Sequence, residues 1–284
     1  MESNIENQNK TTANPTSNED NTDDVEVINF TNKLVYEFPC NERMRSMLRI
    51  EHLGNRMHEL AQVNQPESHQ SALRTLFELY DLLGNRADIK NELLQELDRQ
   101  RLQLIRYSGQ PGVSEEQLKI LVKEIAKSHS SLSSVPIRLG PHVPEYEWLS
   151  ILRGRSGVPG GTCQFDIPSF YTWLERPAHL RASNISSWLA PLTPLLDSID
   201  LALRLLREGS QAIPLSAING LYEFALEGRH VLLIRIIVEK KPEVVSEISA
   251  NKHLIAVRFR ELDKHLHLKS TTKNIPFHLS LCNF

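Results

Sequence analysis

Residues 32–53, NKLVYEFPCNERMRSMLRIEHL, decide the fold. Lys33, Val35 and Glu37 alternate with Leu34, Tyr36 and Phe38, the two-residue period of a strand with one buried face. Pro39 has no N–H to donate and ends the pairing. Asn41 is placed to cap a helix, its side-chain oxygen accepting from an orphan N–H, and Glu42 suits the positive end of the dipole. Met44, Met47, Leu48, Leu53, Met57 and Leu60 then recur at helical spacing. A lone strand leaves its backbone groups unpaired, and no convincing strand follows before Leu215. The N-terminal strand is therefore expected to join a C-terminal sheet. The resulting fold class is α+β: a mainly helical domain, 39–210, inserted into a small antiparallel β domain that combines 30–38 with 211–284.

Between those ends the pattern is helical. Ser68–Leu83 and Asp88–Tyr107 carry apolar stripes. Pro111-Gly112 interrupts, and Ser114 with Gln117 starts a capping-box helix running to about His129. Ser130–Pro144, rich in serine and proline, reads as a hinge or loop, and Glu145–Arg153 as a short helix. Ile185–Leu206 carries Trp188, Leu192, Leu195, Ile199 and Leu203 and reads as one central core helix.

Residues 1–29 are rich in Asn, Thr, Asp and Glu, a disordered composition. Seven acids against Lys10 alone give this tail −6, while the whole chain is −3, so the remainder carries +3. No basic cluster and apolar run open the chain, so no signal peptide is expected. Isolated Cys40, Cys163 and Cys282 suit a reducing cytosol better than a disulfide framework. No apolar run approaches the ~20 residues of a membrane helix.

After Leu215, Val231–Lys240, His253–Leu262 and Ile275–Phe284 alternate or run apolar, and antiparallel order is expected because no crossover helix separates them. Ile255, Val257 and Phe259 share one face, with Leu254, Ala256, Arg258, Arg260 and Leu262 on the other. Ile234, Ile236 and Val238 likewise oppose Leu233, Arg235 and Ile237. Residues 229–284 hold ten Lys/Arg and five Asp/Glu. The expectation is a single twisted sheet whose solvent side is cationic, with arginine set among aliphatic residues. That combination suits an acidic and apolar peptide, because guanidinium pairs bidentately with carboxylate while the aliphatics bury an anchor.

Other chemistry is thinly supported. Arg153–Leu174 contains SGVPGGTCQFD, which has neither phosphate-loop spacing. It reads as a tight turn in which Gly160 and Gly161 take angles closed to other residues, packed down by Phe165, Phe170 and Trp173. Cys163 and Asp166 lack a nearby histidine for nucleophilic chemistry. His265 and His267 share a face but lack a spaced Cys or carboxylate partner for a metal. No enzyme, metal or cofactor is expected. A nucleic-acid module is the alternative reading, and it lacks aromatics for base stacking on the arginine-bearing faces.

The matching stretches FPCNERMRSMLRIEHL (38–53), IKNELLQELDRQ (89–100), PGV (111–113), VPGGTCQFDIPSFYTWL (158–174), INGLYE (218–223) and IAVRF (255–259) make the chain resemble the ZapD family of Z-ring-associated division proteins. The resemblance covers about 33–284. It implies a cytoplasmic homodimer at the mid-cell ring that binds the C-terminal tail of FtsZ and cross-links its filaments. By position it carries tail binding onto Arg258 and Arg86. A further family arginine falls on Leu254 here, and Arg260, Arg235 or Lys252 is expected to supply its charge. The acidic tail lies outside the resemblance. It reads as a solvating end, or as a competitor for the basic sheet.

Overall fold

The computed structural model describes residues 30–86, 88–136, 146–240 and 244–283. β1 (Lys33–Pro39) runs directly into α1 (Glu42–Gln62), and Asn41 Oδ1 accepts the Met44 N–H at 2.8 Å. The helices continue as α2 (Pro66–Gly84), α3 (Ile89–Arg106), α4 (Glu115–Ser133), α5 (Glu147–Arg155), α6 (Pro168–Leu174), α7 (Ala178–Leu189) and α8 (Thr193–Glu208). Ser114 Oγ caps α4 by accepting the Gln117 N–H. α4 runs to Ser133, into the expected hinge, whose portion from residue 137 falls outside the described residues. The acidic tail 1–29 lies outside them as well.

The expected single helix over Ile185–Leu206 is instead two, α7 and α8, joined by a 3-10 turn at Ala190–Leu192. Pro191 and Pro194 lack the N–H a continuous helix needs, and each sits near the start of the next element. α8 lies between α1, α3 and α4 and buries Leu195, Ile199, Leu203 and Leu206. The glycine-rich segment also differs from expectation. Gly160 has φ +70°, but Gly161 is constrained by space, since a Cβ there would stand 2.8 Å from Val158 Cβ. Phe170 and Trp173 are buried beside Trp188 and the half-buried Trp148, whereas Phe165 is 78% exposed.

The remaining strands are β2 (Ala212–Ala217), β3 (Leu221–Ala225), β4 (Leu233–Glu239), β5 (Val244–Ala250), β6 (Leu254–Leu262), β7 (Leu268–Ser270) and β8 (Ile275–Cys282). The two chain ends do meet: β1 pairs antiparallel with β4, Val35 opposite Ile237. The single sheet is corrected to two, one ordered β1-β4-β8-β2 and the other β3-β6-β5 with β7 also on β6. Their inner faces share one core, with Ile234, Ile236, Phe277 and Leu279 from the first and Ile255, Val257 and Phe259 from the second. Phe277 packs against Tyr222 and Phe259 at ring-centre distances of 5.3 and 5.2 Å, and Tyr36 Oη donates to the Val244 carbonyl at 3.3 Å across the gap. Each fully buried Ile, Val or Phe here contributes about 1.5–3 kcal/mol relative to exposure.

The sequence reading passed over β2 in the first sheet and β3, β5 and β7 in the second. β2 contains Pro214 and pairs only with β8, the edge position a strand proline tolerates. A tight turn at Asn219 and Gly220, both at positive φ, then throws the chain into β3 on the other sheet. Gly220 is required there, because a Cβ would meet Thr271 Cγ2 at 2.5 Å and the Phe259 carbonyl at 2.9 Å.

Candidate peptide-docking surface

The two sheets treat their arginines differently. The first sheet's outer face meets the helices around β4 and β8, with Leu233 of β4 and Cys282 of β8 in the helical core, while Val35 of β1 stays exposed. Arg235 therefore does not reach solvent as expected. Its Nε donates to Glu37 Oε1 at 2.9 Å. Glu37 also accepts Arg207 Nε and Nη2 at 2.9 and 2.7 Å, and Arg207 closes a second fork on Glu51 at 2.6 and 2.8 Å. The four side chains are 14–22% exposed. Burial works against the Arg207 charge, but its hydrogen bonds to Glu51 and Glu37 outweigh this and hold its pKa above the ordinary value. This network ties β1, β4, α1 and α8 together.

Arg86 is likewise occupied. It lies between α2 and α3, donates to Ser46 on α1, and pairs with Asp88 and Glu92 at 3.0 and 2.8 Å. The Asp88 hydrogen bond is the main reason its pKa is raised. The structure does not bring Arg86 to either sheet's open face.

The second sheet's outer face is open. Arg258 sits mid-strand on β6, opposite Leu221 of β3 and Glu247 of β5. It is exposed and has no ion pair or hydrogen bond among the described residues. Arg260, two residues on, pairs with Glu247 at 3.2 Å, leaving its buried Nε without a partner among the described residues. Leu254 lies on the same face near the strand start. Lys252 is exposed in the preceding turn, where Asn251 Oδ1 accepts the N–H groups of His253 and Leu254. Leu221 and Leu268, 44% and 40% exposed, add apolar surface. Four of the six expected residues thus gather on or beside β6. The face is less cationic than expected, because Glu223 and Glu247 share it with Arg258 and Arg260. Leu221 and Glu247 were missed by the sequence reading; Asn219-Gly220 followed by the Leu-Tyr-Glu-Phe alternation was the signal for β3.

Among the described residues no group of three or more His, Cys, Asp or Glu is placed to hold a metal, and no helix is long and apolar enough to cross a membrane. His265 and His267 instead give their backbone N–H groups to Asp263 Oδ1. These features define an α+β protein with an open strand face that offers both guanidinium and aliphatic surface. The sequence profile of the ZapD family, described as a cell division protein, matches residues 48–258. The cell division protein ZapD of Janthinobacterium sp. (strain Marseille) is 38% identical over 251 residues, covering 88% of this chain and 100% of that relative. The chain belongs to the ZapD family of cell division proteins, which is not a known enzyme family.

Proposed function

We propose that this protein binds the C-terminal tail of FtsZ on the outer face of the second sheet. As a cytoplasmic homodimer at the mid-cell ring, it thereby cross-links FtsZ filaments. The observation that carries the reading is Arg258, an unpaired guanidinium between Leu221 and Glu247 on an open strand face. An acidic, apolar tail would neutralise Arg258 and cover Leu221 and Leu254. With Leu254 where the family has an arginine, Lys252 is the nearest free charge in sequence, since Arg260 is engaged by Glu247. Two sites on one dimer strengthen one another because the second contact is effectively intramolecular. Higher ionic strength weakens such exposed pairs. The nucleic-acid reading gains no support, because the outer positions of β3, β5 and β6 carry no aromatic side chain.

Sedimentation of FtsZ polymers tests the proposal. The protein is expected to pellet with FtsZ filaments and to thicken them. Filaments of FtsZ lacking its C-terminal tail are expected to leave it in the supernatant. Equal pelleting with both would overturn the assignment.

A further inference from the structure

The outer face of the second sheet carries a carboxylate where an acidic ligand would place its own. Arg258 and Arg260 lie two residues apart on β6 and share that face. Glu247 of β5 stands opposite Arg258 and reaches Arg260 on the diagonal, accepting its Nη1–H at 3.2 Å. Glu223 of β3, opposite Ala256, is a second exposed carboxylate, with no ion pair or hydrogen bond among the described residues. The charges of these four side chains sum to zero, so an acidic peptide gains little from the two arginines while Glu247 stays in place.

The Arg260–Glu247 contact is a loose one. A single guanidinium nitrogen meets a single carboxylate oxygen, and the buried Arg260 Nε–H has no partner among the described residues. Arg207, by contrast, closes a fork on each of Glu37 and Glu51. The Arg260 and Glu247 side chains are 31% and 43% exposed, and ion pairs that reach water contribute little. Glu247 lies on an edge strand, and its side chain can turn into solvent without disturbing the ladder to β6. An incoming carboxylate that forms a two-point fork with a guanidinium gains over the one-point contact it replaces.

We infer that Glu247 is an internal competitor of the ligand's carboxylate. It holds Arg260 in the free protein and gives it up when an acidic peptide docks, so that Arg258 and Arg260 both end on the peptide. Binding at this face is then an exchange of carboxylates, and Glu247 sets its strength. The inference rests on the docking reading above and adds to it a residue that weakens the complex.

An anisotropy titration of a labelled FtsZ C-terminal-tail peptide, at one fixed ionic strength, tests it. Glu247→Gln is expected to tighten binding about fivefold, the scale of one exposed ion pair. Glu223→Gln removes the same charge from the same face without releasing an arginine, and is expected to gain less than about twofold. With Arg260→Gln already in place, Glu247→Gln is expected to gain less than about twofold as well, because the two residues act as a coupled pair. Equal gains from Glu247→Gln and Glu223→Gln, or a gain that survives Arg260→Gln, would reduce Glu247 to general repulsion and overturn the inference while the docking reading stands. Unchanged or weaker binding by Glu247→Gln would overturn it too. Failure of the docking reading has a different signature, in which the wild type and every variant leave the peptide unbound, and the inference falls with it.

Discussion

The two sheets have similar strands and opposite fates. β4 and β6 each place arginine among aliphatic residues on the face away from the shared core. In β4 that face is roofed by helices, and Arg235 is spent on Glu37. In β6 it is bare, and Arg258 is unspent. The lesson is that an arginine within an aliphatic strand reports a charge looking for a partner. Whether the partner is internal or external depends on what the rest of the chain lays over it.

Five substitutions press on that contrast, in descending size apart from Leu254→Arg, which is set beside the first for comparison. Ile237 on β4 is 1% exposed, so Ile237→Arg buries an unpaired charge and is expected to cost at least ~4 kcal/mol. Leu254→Arg on the open face should stay within ~0.5 kcal/mol. Urea unfolding of both variants compares the sheets directly, and equal losses would break the contrast. Arg207→Ala strands the part-buried Glu51 and leaves Glu37 with Arg235 alone, and should lower stability by about 3 kcal/mol on the same assay. Arg235→Ala leaves Glu37 with Arg207, so a smaller loss of about 1.5 kcal/mol is expected. Arg258→Ala should shift the unfolding free energy by less than ~0.5 kcal/mol. A loss as large as that of Arg207→Ala would mean that Arg258 is structural.

Sequence reading reached what is local. The period change at Pro39, the Asn41 cap and the unpaired first strand led to a helical insertion between two parts of one β structure. The alternation in β6 placed Leu254, Arg258 and Arg260 on one face. It failed where partners are remote. Glu37 lies 170 residues from Arg207 and 198 from Arg235, and no period links them. It also failed where strands are short: β3 has five residues, and β2 carries a proline. Without β3, and without β5, which was also passed over, the sheet count, and with it Leu221 and Glu247 beside Arg258, was out of reach. Pro191 and Pro194 were visible and divide α7 from α8, but the unbroken apolar stripe hid the break.

The most direct measurement is an anisotropy titration of a labelled FtsZ C-terminal-tail peptide against the wild type and Arg258→Glu, alongside thermal unfolding of both. The open-face account predicts that the variant binds at least about tenfold more weakly, ~1.4 kcal/mol, with an unchanged unfolding midpoint. Equal affinity for the two proteins would contradict it.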